Sequence, residues 1–248
     1  MNKVVGIIPA RWGSTRFKGK PLHPIAGKPL LQHVWERCRR AKTLDQVIVA
    51  TDDMRIARAA FEWGADVALT SPRHQSGTDR IAEVARKARQ FAFIVNIQGD
   101  EPMIDPKLID RLVKKIRSDS KIDIVTAAQP FENPADAFSP HSVKVVIDCH
   151  GRALYFSRFP IPFLRGRRTT ILRHQGIYGF RRRALLRFVS WKPTPLERAE
   201  ALEQLRALEN GVKVHVLVTQ HGSPGIDTPA EARALERKLA RAKRGSSR

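Results

Sequence analysis

Short apolar runs alternate with helix-like patterns along the first half of the chain. Residues 4–8 form an apolar run that ends at a proline, which predicts a buried central strand. In residues 29–42 the apolar side chains recur on one face of a helix. This order predicts an α/β fold with a mostly parallel, twisted sheet flanked by helices. The further predicted strands are 46–51, 66–70, 93–97 and 122–128, and the further predicted helices are 53–63, 78–89 and one from 105 onward.

The pattern changes after about residue 130, where predicted strands follow one another without helices between them. Residues 143–148 and 153–157 flank a turn that suits an antiparallel hairpin, and residues 174–180 form a further strand. We expect this antiparallel insert, roughly residues 130–180, to form a small lobe or a dimer arm.

Two capping boxes predict where the last helices begin. The first box starts at Thr194 and opens a helix that reaches about Asn210, and the second starts at Thr228 and opens the C-terminal helix. Between them, residues 213–218 alternate Val with Lys and His, a pattern typical of a strand.

The length and composition are those of a globular protein. The 248 residues are 42% hydrophobic, and we treat residues 1–236 as a single domain followed by a basic, flexible tail at 237–248. No run approaches the about 18 apolar residues that a membrane span requires, and the N-terminus lacks the features of a signal peptide. We therefore expect a cytoplasmic protein that does not enter a membrane.

The net charge of +21 is high and unevenly distributed. Residues 157–187 contain nine Arg and no acid, and residues 237–248 contain six basic residues and no acid. Such a charge makes nucleic acid an alternative partner. Because no helix-turn-helix, zinc-finger or RNA-recognition signature is present, we expect at most non-specific binding to nucleic acid, with part of the charge serving anionic substrates.

The loop after the first predicted strand, residues 9–22, has the composition of a phosphate-binding loop. It combines two glycines and two hydroxyl side chains with cations at Arg11, Arg16, Lys18 and Lys20. Backbone amides freed by Gly and Ser can cradle phosphate oxygens, and Arg and Lys add charge-assisted contacts. The loop matches neither the Walker A pattern nor the dinucleotide pattern G-x-G-x-x-G. It favours a triphosphate ligand.

An acid at the end of the strand 93–97 could face that loop. Ligands of parallel α/β sheets bind outside the carboxyl ends of the strands, which is where Asp100 is expected. Mg²⁺ prefers one or two carboxylates together with phosphate oxygens, so Asp100 is a candidate ligand, with a turn or cap residue as the alternative. Taken alone, Asp227, just before the second capping box, is typical of a turn.

An ordered set of motifs along the chain resembles the 3-deoxy-manno-octulosonate (KDO) cytidylyltransferases, also called CMP-KDO synthetases. The resemblance extends from residue 4 to about residue 236. The first loop alone is weakly specific, since CMP-sialate synthetases have a related one, but the full set is highly specific. The motifs are Pro9-Ala10-Arg11, Ser14-Thr15-Arg16, Gly19-Lys20-Pro21-Leu22, His74-Gln75-Ser76-Gly77-Thr78-Asp79-Arg80, Asn96-Ile97-Gln98-Gly99-Asp100-Glu101-Pro102, Leu154-Tyr155-Phe156-Ser157-Arg158, Arg173-His174-Gln175-Gly176-Ile177-Tyr178-Gly179-Phe180, Leu202-Glu203-Gln204 and Gly225-Ile226-Asp227-Thr228-Pro229.

The resemblance implies a nucleotide-diphospho-sugar transferase-like fold and a homodimer. It implies transfer of CMP from CTP to KDO with release of pyrophosphate, giving CMP-KDO for lipopolysaccharide biosynthesis. Residues 1–130 would then bind the nucleotide, and residues 131–236 would bind the sugar and form the dimer. The alternatives are a cytidylyltransferase for a related acidic sugar, sialate or an amino-KDO analogue, and a basic nucleic-acid-binding protein.

The resemblance also implies the roles of individual residues. CTP would be bound by Ala10, Arg11, Ser14, Arg16, Lys20, Ser76, Gly77, Gln98 and Asp100. The sugar would be bound by Arg158, His174, Tyr178, Glu203 and Gln204. Asp100 and Asp227 would hold Mg²⁺, and these two acids together with Arg11 and Lys20 would carry out catalysis. One departure is Lys18, which stands where the family pattern usually has a proline. It removes a constraint on the backbone and adds a cation to the loop.

Overall fold

The computed structural model of the protein describes residues 2–13, 17–166, 169–220, 222–223 and 225–245, with only the backbone for 241–245. Its strands are β1 (Lys3–Ala10), β2 (Pro24–Ile25), β3 (Lys28–Pro29), β4 (Gln46–Thr51), β5 (Asp66–Leu69), β6 (Phe91–Asn96), β7 (Ile124–Pro130), β8 (Lys144–Ile147), β9 (Ala153–Ser157), β10 (Leu172–Arg181) and β11 (Val214–Val218). Its α-helices are α1 (Leu30–Cys38), α2 (Met54–Glu62), α3 (Gly77–Lys87), α4 (Pro106–Ser118), α5 (Arg182–Phe188), α6 (Pro195–Glu200), α7 (Gln204–Glu209) and α8 (Pro229–Gly245). Short 3-10 helices cover Lys20–Leu22 and Pro134–Phe138.

Nine strands of the described chain form one mixed sheet with the order β11-β7-β10-β6-β1-β4-β5, and β8 and β9 extend it from β10. The pairs of β1 with β4 and β6, of β4 with β5, and of β7 with β11 are parallel. Alternate residues of β1 bury their side chains on opposite faces of the sheet, where α1, α2 and α4 cover one face and α3, α5 and α7 cover the other. This architecture confirms the predicted α/β class.

The strand predicted at 174–180 lies inside the main sheet and not in a separate lobe. Its counterpart, β10, lies between β6 and β7 and is antiparallel to both. The hairpin of β8 and β9 continues from the first residues of β10, so it is joined to the main sheet. The pairing of β10 with β7 shifts between Gln175 and Tyr178, which is the mark of a β-bulge.

The helix predicted from Thr194 to about Asn210 is two helices, α6 and α7. They are separated at Ala201, whose φ of 51° ends α6 in the left-handed region. The guanidinium of Arg158 donates hydrogen bonds to the carbonyls of Glu200 (2.8 Å) and Ala201 (3.3 Å). Because a side chain from the segment just after β9 satisfies these carbonyls, the helix can end early. The capping box predicted at Thr194 is present.

The C-terminal helix α8 runs through Gly245, so the described part of the predicted flexible tail is helical. It packs through Ala232 and Leu235 on a small core cluster that also contains Phe17, Ile25, Leu30 and Ile226. Ala and long basic residues favour a helix, which explains why the basic composition does not interrupt it. Residues 246–248 lie outside the described residues. Nowhere in the described chain does a helix combine the length and apolar composition needed to cross a membrane.

Part of the unusual positive charge stabilises helix ends inside the protein. Arg181 donates hydrogen bonds to the carbonyls of Ile116, Asp119 and Ile122 (2.8–2.9 Å), at the C-terminal end of α4. Arg182 donates in the same way to Ala85 (2.7 Å) and Arg86 (3.3 Å) in the last turn of α3. Carbonyls at helix ends lack intrahelical partners and attract cations, so these arginines have a structural role.

We expect Arg181→Met to lower the free energy of unfolding by about 1–3 kcal/mol, because it leaves several carbonyls without their donor. The matched control is Arg183→Met, since the Arg183 side chain is 73% exposed and its contacts with Ser120 and Asp123 are 3.4 Å long. That change should cost less than about 0.5 kcal/mol. Urea denaturation of both variants measures the difference, and equal costs would contradict the structural role of Arg181.

Candidate active site

A cavity of about 320 Å³ lies at the carboxyl ends of β1 and β6. The first strand delivers Ala10 and Arg11 to it, β6 leads into Gln98 and Asp100, and α3 begins beside it. Eight residues predicted to bind CTP or metal therefore lie around one space, in agreement with the position expected for ligands of parallel sheets. They are Ala10, Arg11, Lys20, Ser76, Gly77, Gln98, Asp100 and Asp227. Ser14 and Arg16, also predicted to bind CTP, lie outside the described residues.

The opposite charges predicted at this edge are in direct contact. The Lys20 ammonium lies 2.7 Å from Asp100 Oδ2 and 3.1 Å from Asp227 Oδ1. Two carboxylates separated by more than a hundred residues of chain thus converge on a single cation. The Lys20 side chain is only 14% exposed, which reduces the screening of its attraction to both acids. The two acids predicted to hold a metal therefore lie close together at this edge, on either side of the Lys20 ammonium.

Glycine allows the loops of this edge to approach closely. A Cβ on Gly99 would lie 2.9 Å from the carbonyl oxygen of Pro9, so a larger residue would push the loop after β6 away from the end of β1. Gly19, just before Lys20, has φ of 72°, a conformation that favours glycine. Glycine at these two positions therefore permits the close approach at the end of β1 and the left-handed turn before Lys20.

The other wall of this cavity is the N-terminus of α3 and the loop before it. Ser76 caps the helix, since its Oγ accepts a hydrogen bond from the Asp79 amide (3.1 Å). Glu83 anchors the preceding loop by accepting from the Ser71 amide (2.9 Å) and by pairing with His74 (2.7 Å). The pKa of Glu83 is lowered to about 2, mainly by its hydrogen bond with Lys87 and then by those with Ser71 and His74. The loop is therefore held in place by a carboxylate that stays charged.

Arg80, which no local sequence pattern marks as functional, is buried and lines the same cavity. Its guanidinium donates to Thr70 Oγ1 (2.5 Å) and lies 3.2 Å from Asp52. The motif from His74 to Arg80 contains it, but a basic residue on a helix is usually exposed, and only the fold buries this one.

A second cavity of about 230 Å³ contains four of the five residues predicted to bind the sugar. His174 and Tyr178 come from β10, Glu203 comes from the interruption between α6 and α7, and Gln204 is the first residue of α7. Apolar residues such as Phe180 and Phe188 form part of its lining. Gln98 lines both this cavity and the first one, so the two spaces adjoin.

The polar groups of the second cavity are held by specific contacts. Glu203 accepts a hydrogen bond from Thr78 Oγ1 (2.7 Å). The ring of His174 lies between Phe156 and Tyr178, with ring centroids 5.0 and 5.4 Å away. Burial lowers the pKa of His174 to about 3, so its imidazole is neutral at physiological pH. Burial raises the pKa of Tyr178, and the charge of Glu203 raises it further, so its phenol is also neutral.

A third cavity, of about 440 Å³, adjoins both others through Gln98 and also contains Asp100, Asp227 and His174. It is also lined by Glu101, whose role no local sequence pattern indicates. Burial, and after it the negative charge of Asp100, raise the pKa of Glu101 to about 8 against the opposing effect of Arg173. The adjacent acids Asp100 and Glu101 indicate a functional segment. Which of the two is buried depends on the fold and could not be predicted from the motif.

Arg158, the fifth residue predicted to bind the sugar, lines none of these cavities in the described residues. Besides its contacts with Glu200 and Ala201, its guanidinium donates to the Pro140 carbonyl (3.1 Å). The buried Lys144 supports the same region by donating to the carbonyls of Ser139, Ser142 and Arg158 (2.6–2.7 Å). The structure therefore gives Arg158 main-chain partners, and its contact with a sugar carboxylate stays a prediction.

Comparison with known proteins places this chain among characterised families. The model of a family described as cytidylyltransferase matches residues 5–214. The 3-deoxy-manno-octulosonate cytidylyltransferase of Geobacter sulfurreducens is 46% identical over 95% of this chain and 99% of its own length. The protein of the same name from Solibacter usitatus is 48% identical over 95% and 94%. A CMP:2-keto-3-deoxy-manno-octonic acid synthetase, solved in complex with CTP, superposes with a TM-score of 0.94 at 39% identity over 97% of this chain and 100% of that one.

Proposed function

The chain belongs to the 3-deoxy-manno-octulosonate cytidylyltransferase family, and we propose that its adjoining cavities carry out that family's reaction. The enzyme transfers CMP from CTP to KDO, releases pyrophosphate and forms CMP-KDO for lipopolysaccharide biosynthesis. The observation that carries the assignment of roles is the contact of Lys20 with Asp100 and Asp227 at the junction of the cavities. Transfer of a nucleotidyl group needs a positive charge beside the phosphates and carboxylates that can bind a metal ion, and Lys20, Asp100 and Asp227 supply these groups at one point.

In this proposal the first cavity holds CTP. Arg11 and Lys20 bind the triphosphate, with Ser14 and Arg16 of the same loop as further proposed ligands. Ser76 and Gly77 lie at the N-terminus of α3, where backbone amides and the helix dipole favour an anion or an acceptor atom. Together with Gln98 and Ala10, they are proposed to contact the nucleoside.

The donor set of the cluster fits Mg²⁺. Asp100 and Asp227 are hard oxygen ligands that already converge on one cation, and Mg²⁺ typically takes one or two carboxylates and completes its coordination with phosphate oxygens and water. Across the described residues, His, Cys, Asp and Glu form no group of three or more that could hold a metal ion by itself, which agrees with a site completed by the substrate. When bound, Mg²⁺ would neutralise charge on the phosphate oxygens.

The residues of the chain position the two substrates and stabilise the charge of the leaving group. The second cavity is proposed to hold the sugar, with His174, Tyr178, Glu203 and Gln204 as its polar contacts, and Arg158 as a predicted contact of its carboxylate. The oxygen of the anomeric hydroxyl forms a bond to the α-phosphorus of CTP and its proton is released to solvent, while the bond from that phosphorus to the bridging oxygen breaks and pyrophosphate leaves. Arg11 and Lys20 stabilise the negative charge that develops on the departing pyrophosphate.

We also propose a homodimer in the cytoplasm. Large apolar side chains are exposed on and around the antiparallel hairpin, among them Phe138, Leu154, Phe159 and Phe163, with exposed fractions of 61–87%. Several large, exposed apolar side chains in one part of the chain are typical of an interface between subunits. Sedimentation equilibrium should give twice the mass of the chain, and a monomer at all concentrations would contradict this assignment.

The proposed function is tested by pyrophosphate release with CTP, Mg²⁺ and KDO. We expect turnover with CTP and KDO, and much slower turnover when another nucleotide replaces CTP or when sialate or an amino-KDO analogue replaces KDO. Faster turnover with sialate or the amino sugar would move the enzyme to the alternative substrate class. Absence of turnover with any acidic sugar would overturn the proposed reaction.

A further inference from the structure

Thr126 lies in β7, is fully buried and faces the β-bulge of β10. Its Oγ1 lies 2.8 Å from the carbonyl oxygen of Ile177 and 3.2 Å from that of Gln175. The same oxygen lies 3.0 Å from His174 Nε2. The Thr126 hydroxyl also makes a side-chain hydrogen bond with the Tyr178 phenol. Because the two carbonyl oxygens can only accept, the single proton of the hydroxyl points to them, and its two lone pairs are left for donors from His174 and Tyr178.

This geometry determines which ring nitrogen of His174 carries the proton. Since the Thr126 proton is used by the carbonyls, Oγ1 faces Nε2 with a lone pair, and Nε2 must donate. A neutral imidazole has one N–H group and one acceptor nitrogen, and burial keeps this imidazole neutral. Nδ1 is therefore the acceptor.

The His174 ring lies where its acceptor, Nδ1, can serve a ligand of the cavities. His174 lines both the second and the third cavity, and its ring is held between Phe156 and Tyr178. Within the described residues no hydrogen bond to Nδ1 is made, whereas Nε2 is occupied by Thr126. A hydroxyl-rich ligand in these cavities would meet a fixed acceptor.

The bulge connects this arrangement to the nucleotide side. Gln98, which lines all three cavities, donates a hydrogen bond from Nε2 to the carbonyl of Gly176 (3.0 Å), between the two carbonyls that Thr126 holds. A Cβ on Gly176 would lie 3.1 Å from the Gln98 side chain, so the contact is tight. Thr126 thus fixes the segment of β10 on which both His174 and Gln98 depend.

We propose that Thr126 is a positioning residue that holds His174 in the Nε2–H tautomer, so that Nδ1 accepts a hydrogen bond from a hydroxyl group of the sugar acid. The part of this inference that concerns the sugar rests on the proposed function. The part that concerns the tautomer depends only on the contacts within the protein. The two parts are therefore tested by different measurements.

The experiment compares Thr126→Val, which keeps the shape but removes the hydroxyl, with Thr126→Ser, which keeps the hydroxyl. Long-range ¹H–¹⁵N NMR spectra of the histidine rings report the tautomer, and His174→Gln assigns the His174 signal among those of the eight histidines. Steady-state kinetics give KM for KDO, KM for CTP and kcat. Thermal unfolding of each variant establishes that the compared proteins are folded.

In the wild type and in Thr126→Ser we expect the Nε2–H pattern, and in Thr126→Val its loss. We expect Thr126→Val to raise KM for KDO about tenfold, the effect of losing one hydrogen bond and its geometry, while KM for CTP and kcat change less than about threefold. Thr126→Ser should restore KM for KDO to near the wild-type value. A merely structural role would lower the melting temperature without this split between KM values.

An Nδ1–H pattern in the wild type, or an unchanged Nε2–H pattern in Thr126→Val, would overturn the proposal. Equal changes of KM for both substrates would also contradict it. If the wild type released no pyrophosphate with KDO, the proposed function would fail while the NMR spectra still decided the tautomer.

Discussion

Asp100→Asn is expected to reduce the rate of pyrophosphate release at least about a hundredfold, the loss typical when a group that stabilises transition-state charge is removed. The substitution keeps the size of the side chain but removes its negative charge. It deprives Lys20 of its closer partner, at 2.7 Å, and deprives the proposed Mg²⁺ of a ligand. Asp227→Asn is expected to act in the same direction. Both rates are measured with saturating CTP and KDO.

The matched control is Asp105→Asn. Asp105 is exposed and caps α4 by accepting a hydrogen bond from the Lys107 amide (3.0 Å), and an Asn side chain can make the same cap. Its activity should stay within about twofold of the wild type, because an Asn cap serves nearly as well as an Asp cap. Near-normal turnover in both Asp100→Asn and Asp227→Asn would show that the two acids do not hold the metal.

Lys20→Met is expected to have two opposite effects, because the ammonium contacts both aspartates where the metal would bind. Without CTP, the variant should bind Mg²⁺ or Mn²⁺ about tenfold more tightly, since the metal no longer competes with a hydrogen-bonded cation. With CTP and KDO, pyrophosphate release should fall about a hundredfold, because the leaving group loses a stabilising charge. Titration calorimetry and electron paramagnetic resonance of Mn²⁺ measure the first effect.

Lys18→Met provides the control for Lys20→Met, since it removes the same charge from the same loop at an exposed position. It should leave metal affinity within about twofold, as screened surface charges have small effects. Unchanged or weaker metal binding in Lys20→Met would contradict competition between the ammonium and the metal. The role of Lys20 in binding CTP would then be tested separately, by the rate of pyrophosphate release.

Local patterns predicted the elements of the fold better than their arrangement. The apolar run at 46–51 has the same bounds as β4, and Asp105 caps α4 as expected, because both signals reside in neighbouring residues. The place of β10 between β6 and β7 depends on pairing between distant segments, which no local pattern encodes. The separation of α6 from α7 depends on Arg158, a side chain more than forty residues away.

Among the residues of the candidate site, too, some were predicted from local sequence and others depend on the fold. Lys20 and Asp100 lie in loops whose composition indicated their chemistry, and the structure brings them together. Thr126 was missed because a threonine inside a strand is typical of β-structure, and nothing nearby in sequence reveals the bulge that it faces. Glu101 and Arg80 were missed because their burial is a property of the fold.

The small core beneath α8 makes the proposed nucleotide-binding edge depend on segments that lie far apart in the sequence. Phe17 lies in the loop that carries Lys20, Ile226 precedes Asp227, and Leu235 of α8 packs with both in one cluster. A ribosome-bound chain that has not yet released α8 would lack one side of this cluster, so the proposed nucleotide site would be fully supported only after residue 235 has left the ribosome. For the same reason, a shortened variant for crystallography should retain residues 229–240, whereas an affinity tag is better tolerated beyond them.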